Sequence, residues 1–193
     1  MTNSRGPRIV LLGKQGSGKG TQGERLANEF GMRHLSTGEM LRDSADAGVQ
    51  AGLEAKAYMD RGELVPDDIV MAVVEERFAN PSEVEPGFVL DGFPRTSQQA
   101  VELVRILGPN ALDLVIDLDV PTDVVVERMR QRGREDDTEQ SIRRRLALYD
   151  SETKPLVDFY RERSLLATID GLGSEDEVAT AIVDAITARF AAS

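Results

Sequence analysis

The chain of 193 residues contains no cysteine, so disulfides and thiolate metal sites are excluded outright. It carries a single histidine, His34, which also excludes a zinc site built from His and Cys ligands. His34 itself reads as a satisfied or exposed side chain beside a short strand. Lysine is scarce: it occurs four times, at positions 14, 19, 56 and 154, against 19 arginines. The opening residues also lack a long apolar run, since Met-Thr-Asn-Ser-Arg-Gly-Pro-Arg precedes only four strongly apolar residues, Ile9 to Leu12. That is too short for a signal-peptide core or a membrane span, and the expectation is a cytoplasmic protein.

A surplus of positive charge is missing as well. A net charge of −11 argues against nucleic-acid partners and anionic membrane surfaces. The distribution says more than the sum. Seven arginines fall between Arg128 and Arg145, at 128, 130, 132, 134, 143, 144 and 145. Such a stretch in an acidic chain fits a local anionic ligand; it fits equally a solvated helix face or a genome rich in arginine codons. Length and composition suit one well-buried core, and no internal repeat, low-complexity tract or long linker divides the chain. The expectation is a single domain, monomeric, with its insertions between strands.

Arg8 to Leu12 reads as a short buried strand stopped by Gly13, and Lys19 to Phe30 as a helix ended by Gly31. A short strand at Met32–Leu35 follows. Thr37 to about Arg61 is helical in pattern, broken near Gly48 and closed at Gly62. Pro66 starts a further helix, with Asp67 and Asp68 in its first turn where acids suit the dipole. Phe88 to Asp91 reads as a strand, Ser97 to Leu107 as a helix stopped by Gly108-Pro109, Leu112 to Val120 as a strand and Pro121 to Arg132 as a helix. Thr138 to about Arg163 reads as one long helix with a kink at Pro155. Leu166 to Asp170 is the last strand, and Ser174 with Glu177 forms a capping box for the last helix. Five strands alternating with helices mean an α/β fold: an open parallel sheet covered on both faces.

The stretch GKQGSGKGTQ, Gly13 to Gln22, carries the first chemistry. It fits G-x-x-x-x-G-K, with Gly13, Gly18 and Lys19, and Thr21 one place later than the usual Ser/Thr. Glycines let backbone N–H groups converge on an anion, and a helix starting near Lys19 adds its positive end. Gly16, Ser17, Gly18, Lys19, Gly20 and Thr21 are therefore the candidate triphosphate cradle, with Lys19 the point charge on the β/γ-phosphates.

Three further stretches carry the recipient: LSTGEMLR (Leu35–Arg42), LDGFPRTSQQ (Leu90–Gln99) and RQRGREDDT (Arg130–Thr138), with Arg145 beyond. Asp91 ends a strand where open α/β sheets bind ligands. It can hold a water-coordinated Mg²⁺ or cap the following turn. The Gly92-Phe93-Pro94 turn is rigid, so Arg95 is aimed. Thr37 can cap a helix, and its hydroxyl is also placed to meet a base; Arg42 lies one turn further on.

Together with GSGKGTQ, these motifs closely resemble the adenylate kinase family over nearly the whole chain. The resemblance implies a P-loop NTPase-like fold, a helical monophosphate-binding insertion at 36–65 and a lid at 131–137. It implies that Thr37, Arg42, Glu63, Leu64, Val65, Gly92, Phe93, Pro94, Arg95 and Gln99 hold AMP, Glu63 by its backbone. Arg128 and Arg132 approach ATP, while Arg134 and Arg145 approach AMP and the transferring phosphoryl. Gly173 matches a backbone contact to adenine, or is a plain loop glycine. The chain departs from the family in having Glu39 where Asp is usual and Lys14-Gln15 where proline is common. The lid is short, Arg132-Gly133-Arg134 running into Asp136-Asp137 with no inserted hairpin and no cysteine for a lid zinc. Asp136 and Asp137 read first as caps of the helix beginning near Thr138, and otherwise as partners of the lid arginines on closure.

The implied reaction is ATP + AMP ⇌ 2 ADP with Mg²⁺ and no zinc, the nucleotides being the only partners expected. The acceptor phosphate is already ionised, so no general base is needed, and catalysis is positioning plus charge neutralisation by Lys19, Arg95, Arg132, Arg134 and Arg145. Gly133 and the Gly62/Pro66 junction are the expected hinges. Two other readings stand beside this one. A UMP/CMP kinase tends to have alanine at Thr37 and asparagine at Gln99. A non-catalytic adenine-nucleotide module would not need the second arginine set.

Overall fold

The computed structural model describes residues 6–108 and 112–191. Pro109 and the first five residues lie outside the described residues. Five strands, β1 (Arg8–Leu12), β2 (Arg33–Ser36), β3 (Phe88–Asp91), β4 (Leu114–Asp119) and β5 (Leu166–Asp170), pair in parallel in the order β2-β3-β1-β4-β5. The helices are α1 (Lys19–Phe30), α2 (Thr37–Asp46), α3 (Gln50–Asp60), α4 (Asp67–Phe78), α5 (Pro81–Val84), α6 (Ser97–Leu107), α7 (Thr122–Arg132), α8 (Glu139–Leu148), α9 (Pro155–Arg161) and α10 (Glu175–Ala191).

A parallel sheet covered on both faces needs apolar residues on both faces of each central strand. β1 meets this with Ile9-Val10-Leu11-Leu12, all essentially buried. Side chains alternate across a strand. Ile9 and Leu11 join Val89, Ile116 and Leu118 in one core with Leu26 of α1 and Ile182 and Ile186 of α10. Val10 and Leu12 join Phe88, Leu90 and Val115 in the other, with Val70 and Val74 of α4, Leu103 of α6 and Tyr160 of α9. A third, smaller cluster of Val120, Val125, Met129 and Ile142 holds α7 against α8 at the base of the 131–137 segment.

Several expected elements differ in detail. The second strand is shifted by one residue, to Arg33–Ser36, and the fourth is shorter, Leu114–Asp119. The short α5, started by Asn80 accepting from the Ser82 N–H at 3.2 Å, was not expected. The expected long helix after Thr138 is two helices joined by a π-helical turn over Tyr149–Thr153. Pro155 supplies no N–H, so the ladder is broken there. The Lys154 N–H reaches the Tyr149 carbonyl at 2.8 Å instead. The 36–65 insertion is two helices, as the Gly48 break implied. It returns through Gly62, whose φ is +68° and where a Cβ would lie 2.7 Å from the Ser141 carbonyl oxygen. Glycine alone permits the insertion and α8 to approach so closely.

Candidate active site

The carboxyl ends of β1 and β3, adjacent in the sheet, open into a cleft of about 770 Å³. β1 delivers the glycine loop to it and β3 delivers Asp91-Gly92. All the site residues expected from sequence line this cleft except Phe93. The Phe93 ring is 1% exposed and packs into the core under Pro94, which fixes the turn from beneath.

In the loop, Gly16 has φ +82°, and a Cβ there would sit 2.7 Å from the Val125 carbonyl oxygen. α1 starts at Lys19 with Gly18 as its N-cap and no side chain bonded over its first N–H groups. Those donors and the helix dipole are thereby left facing the cleft, the arrangement that binds phosphate. The Lys19 ammonium donates to the Gly13 and Lys14 carbonyls, each at 2.7 Å. Burial pulls its pKa down to about 8; Asp91 works against the fall, while Arg95 and Arg132 add to it.

The opposite wall is built around Arg95. Its Nε donates to the Gly92 carbonyl at 2.8 Å, its backbone N–H to Gln99 Oε1 at 2.7 Å, and its carbonyl accepts from the Thr153 hydroxyl at 2.9 Å. Burial lowers the Arg95 guanidinium from its ordinary value, with Asp91 opposing. Gln99 is itself buried and donates to Asp67 Oδ1 at 2.6 Å, which ties α6 to α4. Thr37 is not the cap of α2. Ser36 is, accepting from the Glu39 N–H, while the buried Thr37 hydroxyl donates to the Asp91 carbonyl at 3.3 Å. The Arg42 guanidinium lies over Gly38, where a Cβ would be 3.5 Å from its Nη1.

The third wall carries the basic stretch. Arg128 reaches the Gly171 carbonyl at 3.0 Å and the Ser17 carbonyl at 3.4 Å, joining the glycine loop to the loop that contains Gly173. The Asp137 carboxylate, 1% exposed, accepts from Arg132 at 3.0 and 2.8 Å and from Arg145 at 2.9 Å. Asp136 also pairs with Arg145. The cap reading of these two aspartates is therefore corrected. Thr138 caps α8, accepting from the Ser141 N–H at 3.2 Å, and both carboxylates are spent on arginines. Burial works to raise the Asp137 carboxyl, but the Arg132 hydrogen bond and the two guanidinium charges outweigh it and hold it below the usual range. Burial lowers Arg134, and the Arg132 and Arg42 charges lower it further.

The 36–65 insertion touches this wall. Arg145 donates to the Met59 carbonyl at 2.9 Å, and Arg144 to Glu63 Oε1 at 2.7 Å and the Arg61 carbonyl at 3.1 Å. Thr153, Asp67 and Met59 escaped the sequence reading because each acts on a residue far along the chain. Only the acid at a helix start and the break before Pro155 left a local trace.

A parallel α/β sheet with a glycine loop after its first strand, and a cationic cleft at its carboxyl edge, defines a P-loop nucleotide-handling protein. The sequence profile of the family described as "Adenylate kinase" matches residues 11–165. Proteins named adenylate kinase are similar along most of their length. That of Stenotrophomonas maltophilia is 46% identical over 187 residues, covering 94% of this chain and 100% of its own. That of Nocardia farcinica is 49% identical over 173 residues, covering 89% and 94%. That of Xylella fastidiosa is 44% identical over 185 residues, covering 93% and 98%. The chain belongs to the adenylate kinase family, and it is a phosphotransferase.

Asp137→Asn removes the carboxylate shared by two arginines while preserving its shape. Breaking one side of a buried ion pair costs about 3–5 kcal/mol, and denaturant melts at pH 7 should show a loss of that order. The folded-state pKa is depressed, so this stabilisation is complete above the unfolded carboxylate value of about 3.9 and vanishes as pH falls through the lower folded value. The gap between parent and variant should therefore narrow below about pH 3.9. A gap that is absent at pH 7, or constant with pH, counts against the ion pair.

Proposed function

We propose that this chain catalyses reversible transfer of the ATP γ-phosphoryl group to AMP, giving two ADP. The observation that carries the reading is one cleft with two opposed phosphate-holding walls: the glycine loop with Lys19, and Arg95 held by three hydrogen bonds at the end of the adjacent strand.

In this reading Gly16 to Thr21 cradle the triphosphate, Arg128 and Arg132 flank it, and Gly173 faces the adenine. Thr37, Arg42, Glu63 to Val65, Gly92, Pro94, Arg95 and Gln99 surround the monophosphate, with Phe93 acting from beneath the turn. Arg134 and Arg145 bridge the two. The 36–65 insertion and the 131–137 lid are the moving parts, turning at Gly62 and Gly133, and their closure keeps water from the phosphoryl group. The acceptor oxygen is ionised at neutral pH, so no proton need be removed. What the residues supply is in-line alignment and neutralisation of charge on the oxygens in flight.

Magnesium fits this donor set. Among the described residues no cluster of three or more His, Asp or Glu could hold a metal by itself. Mg²⁺ suits such a site because it keeps several waters and binds mainly through substrate phosphates. Asp91, lining the cleft beside the start of α1, would hold it through water. Bound with ATP, it supplies further neutralisation of the phosphate oxygens. Absence of zinc, a monomeric state and a cytoplasmic location are further parts of the proposal and rest on composition. No helix among the described residues is long and apolar enough to cross a membrane.

Three tests follow from these assignments. In a coupled assay with ATP, AMP should be the preferred acceptor, well ahead of CMP and UMP. Thr37 and Gln99 favour it, and equal turnover with a pyrimidine monophosphate would point to the UMP/CMP kinase reading. Binding without any turnover would point to the nucleotide module. Arg95→Lys keeps charge and fold but loses the planar fork that grips Gly92 and phosphate together. Turnover should fall on the order of 10²-fold or more with ATP binding nearly unchanged; near-parental turnover would remove Arg95 from the centre of the reaction.

The third test uses pH. Lys19 titrates near about 8 in the free protein, below the unfolded value of about 10.4. The unliganded fold therefore sheds the cost of the buried charge as pH rises from about 8 to about 10.4. ATP binding has the opposite sign, because phosphate requires the ammonium. ATP affinity should be level below pH about 8 and weaken above it. Calorimetry in two buffers of different ionisation enthalpy, near pH about 8.5, should record proton uptake on binding. Uptake that persists in Lys19→Met would assign the proton elsewhere.

A further inference from the structure

The glycine loop holds two buried polar side-chain atoms without a hydrogen-bond partner, Gln15 Oε1 and Ser17 Oγ. Such atoms are uncommon in folded proteins and call for an explanation. Ser17 Oγ lies against Gly13, 2.8 Å from where a Cβ there would be, and its residue is 2% exposed, so it faces the loop's own interior. Gln15 differs, because its residue is only half-buried and lines the cleft. The side chain before it is turned away: the Lys14 ammonium donates to the Val120 carbonyl at 2.9 Å and sits 5.8 Å from the Tyr149 ring. The backbone around Gln15 is held from both sides. Lys19 grips the Gly13 and Lys14 carbonyls, and the Ser17 N–H closes a turn onto Lys14 at 3.1 Å. Gln15 is thus an uncharged amide on a fixed turn, beside the ammonium assigned to the terminal phosphates, with no protein group using it.

We propose that Gln15 is a substrate-contacting residue, its carboxamide N–H donating to a terminal phosphate oxygen of the bound triphosphate. The proposal rests on the ATP-site reading above. Oε1 is the enclosed end of the carboxamide and Nε2 is not among the enclosed atoms, so the donor end is the one a ligand in the cleft meets. The chemistry is distinct from that of the arginines. A neutral donor adds direction without adding to the repulsion among the cations that crowd the cleft.

The test compares Gln15→Met, which keeps length and removes the amide, with Gln15→Glu, which keeps shape and opposes the phosphate with a carboxylate. Dissociation constants for ATP and for AMP are measured separately by calorimetry, alongside melting temperature and turnover. A hydrogen bond to a charged group is worth about 10- to 100-fold in affinity. Gln15→Met should weaken ATP binding by roughly the lower figure, and Gln15→Glu by more, with AMP affinity and melting temperature held. Should Gln15→Glu melt early, Gln15→Ala with Gln15→Met carries the comparison. ATP affinity within twofold of the parent in both Gln15→Met and Gln15→Glu, or an equal loss for AMP, would overturn the contact. Failure of the function itself is recognised separately, because the parent protein would then not turn over ATP with AMP at all.

Discussion

Mutual repulsion among cations governs this cleft. Lys19, Arg42, Arg95, Arg128, Arg132, Arg134 and Arg145 all line one concavity in a protein whose net charge is −11. Without ligand, something must neutralise them. Asp91 opposes the burial of both Lys19 and Arg95, and Asp137 with Asp136 satisfies Arg132 and Arg145. In the proposed reading these carboxylates would compete with phosphate oxygens for the same guanidinium groups. Substrate binding is then largely an exchange of anions, phosphate for carboxylate, rather than the creation of new charge pairs. An exchange costs less desolvation than a fresh pairing where the guanidinium is already buried, as that of Arg145 is.

Neighbouring bonds of these arginines join separate elements. Arg145 belongs to α8 yet bonds the Met59 carbonyl at the end of α3, and Arg144 reaches across to Glu63 and Arg61. Gly62 lets the two backbones meet at Ser141. In the proposed reading, a phosphate that drew Arg145 inward would act on the 36–65 insertion and on the 131–137 segment together. Arg95 is braced differently. Its carbonyl is held by Thr153 from the π-helical turn, and its N–H by Gln99, itself anchored to Asp67. Arg95 is thus tied to the core and Arg145 to the 36–65 insertion and the 131–137 segment, which in the proposed reading would suit one to align and the other to close.

Much of this was legible in the sequence, for physical reasons. Four consecutive apolar residues before Gly13 could only be a strand covered on both faces, and glycine spacing with Lys19 could only be a phosphate loop once a helix followed. The Gly48 break and the Ser174–Glu177 capping box are equally local and read correctly. What stayed hidden was nonlocal or competitive. Thr153 and Arg95 are separated by 58 positions, and no periodicity marks such a pair. Asp136 and Asp137 sit where helix caps belong, but Thr138 is a better cap and Arg145 a stronger claimant for their charge. Thr37 lost the cap to Ser36 for the same kind of reason: two adjacent hydroxyls competed, and the second was drawn inward by the Asp91 carbonyl. The π-helical turn needed more than the sight of Pro155, because a proline says that the ladder breaks and not how the chain recovers.

The scarcity of lysine acquires a physical meaning at this site. Burial and neighbouring cations lower Lys19, Arg95 and Arg134. For Lys19 the fall reaches about 8, close enough to neutrality that a second buried lysine would raise the fraction of uncharged sites sharply. Arg95 and Arg134 are likewise lowered by burial and by nearby guanidinium groups, but from a far higher ordinary value, and arginine stays protonated throughout the physiological range. A cleft crowded with cations can tolerate one buried lysine where the loop carbonyls of Gly13 and Lys14 support it. The remaining positions require arginine, whose fork also lets one side chain keep a carbonyl, as Arg95 keeps Gly92, while offering its other nitrogens to phosphate.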